Sequence, residues 1–488
     1  MKNDKIKTIV LILLVLSSIF LTAQIWLSEK LWSQDYNFFV KWENNELVQA
    51  VLKKVSWSSG QDHKGPTIDS YFYTPQRIVV NYGSFRTVYI NGDNLYAQYL
   101  SEISRAFEQL LRSEEGVKYQ AAAATDEWFN VLKTKSIYVD LRAPYKTKLL
   151  GQFFGIKETP LSTYIKDIKE LILVPGDSIS NDITFYIKNF SNGSIGKFNL
   201  NYDRTRLNNL LEKHATAPSN RYKFSFEIPL DKKSKLTKVV VDSGVLIPID
   251  KQNLKVLKSN NPVKSEHDIK DILKAFKYSS NSLRKYTEMD NTIVYVENYS
   301  TLKIHPDGLI EYDAIEGGKG LKLAPVPPAG GNNMPSFRES WDMVVKFIKG
   351  IENVNQEIQL SSAAEDQNKP GTYQFIFNYF YGGLPITMSL DNGKIQDAIK
   401  VEVVNGTLKS YRHYLRNYEE VKPVEVGVSM PYVLDNIYKK IDAKQDDITI
   451  TDLFLGYEES SGEDILQPRW NFRIEGTGKR LTIPVGKK

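Results

Sequence analysis

Thr8 to Leu27, TIVLILLVLSSIFLTAQIWL, is twenty residues without a charge, and no later stretch is as long or as apolar. At a helical rise of about 1.5 Å per residue it covers the roughly 30 Å of lipid hydrocarbon. A lone span must satisfy its own backbone, so it reads as a transmembrane helix. Lys2, Lys5 and Lys7 precede it, and Trp26 and Trp32 lie at its far end. That asymmetry predicts a cytoplasmic segment over residues 1–7, an anchor over 8–27 in the lipid bilayer, and an extracellular bulk. A cleaved signal peptide would have a shorter apolar core, and Leu21-Thr22-Ala23 puts leucine where a small residue is wanted. The span is therefore expected to remain as the single membrane pass.

Beyond a polar stretch from Tyr36 to about Val55, the periods alternate between two and four. Arg77 to Tyr82 and Arg86 to Asn91 read as strands joined at Gly83-Ser84. Leu95, Tyr99, Ile103, Phe107 and Leu111 recur every fourth position and predict a helix over 93–114. Strands are expected at 136–141, 171–174, 183–187 and 222–228, with helix starts at Thr125 and a helix end over 202–214. Ser265-Glu-His-Asp268 and Ser336-Phe-Arg-Glu339 have capping-box spacing before apolar helical stripes. Strands at 291–297, 300–304 and 309–312 surround the turn Pro306-Asp307-Gly308. APVPPAGGNNMP at 324–335 punctuates the chain as a linker.

In GTYQFIFNYF, 371–380, the aromatics fall at 373, 375, 377 and 379, which is strand alternation with one strongly apolar face. Turns at Gly382-Gly383, Asp391-Asn-Gly393 and Asn405-Gly406 then predict a four-stranded antiparallel meander over 371–415. A helix at 430–441 and strands at 448–457 and 468–475 complete it. The pattern is α+β: one N-terminal transmembrane helix, then a multidomain extracellular region of antiparallel sheets packed by helices. Expected domains are 36–200, 201–330 and 336–488.

Composition narrows the chemistry. With 41% hydrophobic and 25% charged residues the chain is folded rather than disordered. It has no cysteine, which excludes disulfides, thiolate metal sites, thiol nucleophiles and lipoprotein processing. A net charge of +5 over 488 residues, spread along the chain, does not point to nucleic acid. The five histidines, at 63, 214, 267, 305 and 413, have no metal-ligand spacing and read as structural or solvent-facing. Gly317-Gly-Lys-Gly320 lacks the phosphate-loop spacing, and no nucleophile elbow occurs. Glu419–Glu420 and Asp446–Asp447 read as solvated loop acids, not as carboxylates opposed across a cleft. No catalytic residue, cofactor or metal is expected.

Several segments resemble the YycH family of membrane-anchored regulators. They are IKTIVLILLVLSSIFLTAQIW at 6–26, PDGLIEY at 306–312, FIFNYFYGGLPI at 375–386, VEVVNGTLKSYRHYLR at 401–416 and LQPRWNFRI at 466–474. The central and last domains are further similar to the sister protein YycI. The resemblance implies a non-enzymatic protein at the cell membrane that pairs with a YycI-like single-span protein. Together they would contact a WalK-like sensor histidine kinase and adjust two-component control of cell-wall homeostasis. It does not fix whether the kinase is activated or repressed. Within the span, Ser17, Ser18, Thr22 and Gln24 are the residues able to pack closely or hydrogen-bond to a partner helix. The other class of function is an extracellular module binding a cell-wall polymer or peptide directly, with a wall-modifying enzyme less favoured.

Overall fold

In the strand Pro75–Tyr82 every side chain except the last is buried, so both of its faces must be covered. The computed structural model describes residues 74–83, 85–93, 95–113, 120–121, 125–176, 182–214, 221–228, 239–278, 283–297, 299–315, 320–323, 334–351, 356–366, 368–389, 395–427, 448–460, 463–475 and 480–484. These all fall within one compact unit, Pro66–Lys488. The expected anchor with Ser17, Ser18, Thr22 and Gln24, the stretch 36–55, and the helix at 430–441 lie outside the described residues. So do His63, Asp446–Asp447 and most of the linker.

The first sheet has seven strands, in the order Arg86–Tyr89, Pro75–Tyr82, Lys135–Lys146, Asp167–Pro175, Asp182–Asn189, Ile195–Asn201 and Gln120–Ala121. All neighbours pair antiparallel. Gly83, at φ +91°, closes the first hairpin as its sequence indicated. One face carries Ile78, Val80, Ile137, Val139 and Phe185. It lies under the helix Tyr96–Arg112, whose Phe107 ring sits 6.3 Å from that of Phe185. The other face carries Val79, Tyr138, Ile172 and Tyr186 beneath Trp128, Leu132, Phe224 and Leu246. The short helix Thr125–Val131 begins at the expected start and supplies that cover.

Local expectations need correction here. The strand expected at 136–141 runs Lys135–Lys146, and Tyr138 and Asp140 are buried like Ile137 and Val139. Alternation marked two faces but not that both were covered. The strand expected at 222–228 stops at Phe224 and becomes a tight turn over Ser225–Glu227. There the Glu227 carboxylate accepts from Phe224 N at 2.8 Å and pairs with Arg86, holding the chain off the strand line.

A larger sheet gathers fifteen strands between 239 and 484, including strands on both sides of residue 330. The hairpin Ile293–Glu297, Ser300–Ile304 and Leu309–Ala314 forms as its PDG turn predicts, with Gly308 at φ +87°. Both capping boxes form: Ser265 Oγ accepts from Asp268 N, and Ser336 Oγ from Glu339 N, each at 3.3 Å. The helix Phe337–Lys349 lays Trp341 on the aromatic face of Thr372–Tyr381, with ring centroids 5.4 Å from Phe377 and 5.7 Å from Phe375.

The meander is not simple. Leu384–Ser389 stays beside Thr372–Tyr381 for only two residue pairs, then leaves to run parallel to Ile448–Ser460. Ile399–Val404 takes the vacated place beside Thr372–Tyr381, and Thr407–Tyr414 follows it across the Asn405–Gly406 turn. At the turn before Leu384–Ser389, a Cβ on Gly383 would overlap the Asn91 carbonyl oxygen, so this turn is pressed against the first sheet's loop. Glu419 and Glu420 lie on a strand, Asn417–Val426, paired antiparallel with Gln252–Asn260, and not in a loop; both remain exposed.

Candidate functional site

Burying a charge is costly unless it is paired, so buried charges mark positions with a purpose. On the covered face of the first sheet, the row that begins with Val79, Tyr138 and Ile172 continues as Arg77, Asp140 and Glu170. Arg77 stands opposite Asp140, Asp140 opposite Glu170, and Glu170 opposite Lys188. Regular alternation would send Lys169 to the other face. The ladder skips it between Ile168 and Glu170, and this bulge re-aims its Nζ to 3.3 Å from Asp140.

The closing pair of strands meets this row. Asp452 and Arg473 are opposite each other across Ile448–Ser460 and Pro468–Ile474, after a register shift that skips Thr451. Arg77 bridges the two sheets: its Nη2 lies 2.9 Å from Asp140 and 2.5 Å from Asp452, and Nη1 donates to Leu453 O at 3.0 Å. Asp140, Asp452 and Arg77 are 1%, 3% and 7% exposed. Burial would raise the Asp452 pKa, but Arg77, Arg473 and Lys169 outweigh it and hold the carboxylate well below its ordinary range. Burial likewise opposes charge on Lys169, and Asp140 and Glu170 overcome it, raising its pKa. Arg77, Lys169 and Asp452 are therefore charged at neutral pH. Nearby, Arg142 lies 3.7 Å over the Phe380 ring, and burial lowers its pKa to about 10.

A cavity of about 690 Å³ opens beside this network. Arg77, Lys169, Asp452 and Arg473 line one part of it, and Trp128, Phe129, Tyr138 and Phe224 another. None of these residues stood out in the sequence as a site. The available signal was an aspartate inside the strand ITITDLFLGY, where a solvent-facing polar position was the simpler reading.

His413 is fully buried between the hydroxyls of Tyr379 and Tyr411, each at 2.7 Å. Tyr379 gives its one proton to Tyr414 O at 2.9 Å, so His413 must donate from Nε2 and accept at Nδ1. Burial, then the Arg416 charge, lowers its pKa to about 3. His305 sits between Thr292 Oγ1 at 3.0 Å and Glu311 Oε2 at 2.9 Å, a hydroxyl–imidazole–carboxylate series. Thr292 is 0% exposed, so its hydroxyl cannot reach a substrate. His267 is exposed beside Asp271. Among the described residues no group of three or more His, Cys, Asp or Glu could hold a metal, and no helix is long and apolar enough to cross a membrane.

No model of a known protein family matches this chain, and no curated protein does. Among solved structures, the crystal structure of YycH from Bacillus subtilis aligns over 84% of this chain and 95% of that chain, with a TM-score of 0.54 and 12% identity. At that identity the likeness is one of fold, and it spans nearly the whole of the YycH structure. An uncharacterized protein from Eubacterium rectale ATCC 33656 aligns over 54% of this chain and 89% of that chain at 14% identity, with a TM-score of only 0.29.

Proposed function

We propose that this chain is a non-enzymatic, membrane-anchored regulator of the YycH type. It is held by the helix over 8–27 with its folded region outside the cell. It acts beside a YycI-like single-span protein on a WalK-like sensor histidine kinase, and so on cell-wall homeostasis. The observation that carries this reading is the extent of the fold likeness, 95% of the YycH structure, together with an uncharged twenty-residue span at the N-terminus. A buried threonine beside His305 and an Asp452 that is ionised at neutral pH offer neither a nucleophile nor a proton donor, which supports a binding role over catalysis.

Contacts inside the bilayer would come from Ser17, Ser18, Thr22 and Gln24, because helices in lipid associate through close packing and interhelical hydrogen bonds. The test is crosslinking and affinity purification of the full-length protein from membranes. Beside it stand one form with residues 1–28 replaced by an unrelated single-span anchor and one with Ser17, Ser18, Thr22 and Gln24 all changed to Leu. Native protein should bring down a histidine kinase and a small single-span partner, and both altered forms should lose them at normal expression. Partners retained by both altered forms would move the contact to the folded region. No kinase with any form would overturn the proposal.

A further inference from the structure

A second cavity, of about 240 Å³, shares Arg473 and Ile395 with the one beside Arg77 but has a different wall. Arg142 and Arg473 are its charged side chains, and among the described residues no carboxylate lines it. Three of its side chains are placed by breaks in strand pairing. The ladder between Pro75–Tyr82 and Lys135–Lys146 skips Gln76, and that between Glu357–Glu365 and Thr372–Tyr381 skips Ser361. Pairing of Lys135–Lys146 with Asp167–Pro175 lapses between Asp140 and Tyr145, where Pro144 has no N–H to offer, and Arg142 lies in that gap. Such irregularities re-aim side chains, and here all three reach one cavity.

Arg142 is 8% exposed and forms no ion pair. Burial lowers its pKa to about 10, with Glu357 and Asp140 acting only from farther off, so it stays protonated at neutral pH. Its Nε and Nη2 are shut in without a hydrogen-bond partner, which leaves Nη1 to meet the cavity. Arg473 is held loosely, its Nε 3.8 Å from Asp452. Gln76 Nε2 is another buried donor without a partner. The one such acceptor on this wall, Gln396 Oε1, belongs to an amide whose oxygen and nitrogen exchange by a half-turn. Ser361 Oγ accepts from Asn378 Nδ2 at 2.8 Å and keeps its own proton free to donate. Asp397, hydrogen-bonded to Asn378, is exposed and stands off the wall. A buried charge without a counter-charge is costly, and an anion in the cavity supplies one. Gln76 and Arg142 stand on the first sheet, Ser361 and Arg473 on the larger one, so a ligand that accepts on all sides fits better than a planar one. The cavity is smaller than the roughly 300–1,000 Å³ of pockets for drug-sized molecules, which limits what it encloses to a small group.

We propose that this cavity binds a small tetrahedral oxyanion, a phosphate group, between Arg142 and Arg473, with Ser361 and Gln76 as further donors. Two sources share that chemistry: the inorganic ion, and the phosphate of a monoester whose body leaves past Ile395, which is 51% exposed. The site is independent of the membrane-helix contacts proposed above, and either can fail alone.

The test is calorimetric titration of purified full-length protein with inorganic phosphate, phenyl phosphate and acetate, at constant ionic strength set with chloride. At least one phosphate should saturate the protein, and acetate should bind about tenfold or more weakly, the scale of one charge-assisted hydrogen bond. Tighter binding of inorganic phosphate assigns the free ion; tighter binding of phenyl phosphate assigns the monoester. Arg142→Met keeps an unbranched side chain on Phe380 and removes the charge. It should weaken phosphate about tenfold or more, and Arg142→Lys should recover part of the loss. Ser361→Ala, at a half-buried position, should weaken binding severalfold. Acetate binding as tightly as phosphate, no saturation by either phosphate at millimolar concentration, or undiminished binding by a folded Arg142→Met protein would overturn the proposal.

Discussion

The aromatic layer of the large sheet and the charged junction between the sheets are both buried, but they are held by different physics. In the layer, Trp341, Phe375 and Phe377 stack between one helix and one strand, 0% exposed and with ring centroids under 6 Å apart. Its histidine, His413, is neutral and hydrogen-bonded at both ring nitrogens. At the junction, Arg77, Asp140, Lys169, Asp452 and Arg473 come from five strands, with a cavity at their side. Packed rings stabilise through area removed from water, whereas a buried ion network gains little over apolar replacements and chiefly fixes geometry. The layer therefore accounts for stability, and the junction sets how the two sheets meet.

The sharpest way to break that contrast is to cut one side chain from each region. Trp341→Ala should cost about 3–5 kcal/mol in urea unfolding, since the ring's burial is lost and a cavity remains. Asp452→Asn should cost about 3 kcal/mol by leaving Arg77 and Arg473 short of a counter-charge. Replacing the pair together, Arg77→Met with Asp452→Leu, should recover most of that loss, because Asp140 and Lys169 still pair at 3.3 Å. If the double variant is no more stable than Asp452→Asn, the junction contributes stability as the aromatic layer does and the contrast fails.

Acid separates the regions more gently. His413 is held neutral with its pKa lowered to about 3, against about 6.5 when unfolded. Below pH 6.5 the unfolded chain takes up a proton that the fold refuses. Its contribution is thus complete above that pH and is lost down to about 3. Asp452, also depressed, keeps its contribution until the pH falls below the unfolded carboxylate value of about 4. Between pH 6 and about 5, His413→Gln should flatten the stability–pH slope by up to about 1.4 kcal/mol per unit, while Asp452→Asn should leave it almost unchanged. Chemical unfolding across that range checks both.

What could be read ahead of the structure follows the same division. The strand of aromatics at 373, 375, 377 and 379, the stripe Trp341, Val344, Val345 and Ile348, both capping boxes and the PDG hairpin were all legible. Each rests on residues a few positions apart, where period and turn chemistry act. The strand Ile195–Asn201 and the edge-to-edge order around Leu384–Ser389 were not, because neither carries a local signal that names its neighbour. The residues of the junction were hidden for a second reason. Lys169 faces its partners only because a bulge turns it, and Asp452 meets Arg77 across 375 positions of sequence.

By itself the sequence determined the uncharged span with its candidate residues Ser17, Ser18, Thr22 and Gln24, the α+β character, and the absence of thiol chemistry. These follow from composition and short-range period, which a chain carries whatever its partners. Tertiary structure alone decided that both faces of the first sheet are covered, that Leu384–Ser389 pairs with Ile448–Ser460, and that Arg77, Asp140, Lys169, Asp452 and Arg473 gather from five strands beside an open cavity. Such features depend on which distant segments meet, and meeting is settled by packing the whole core, not by any stretch of chain within it.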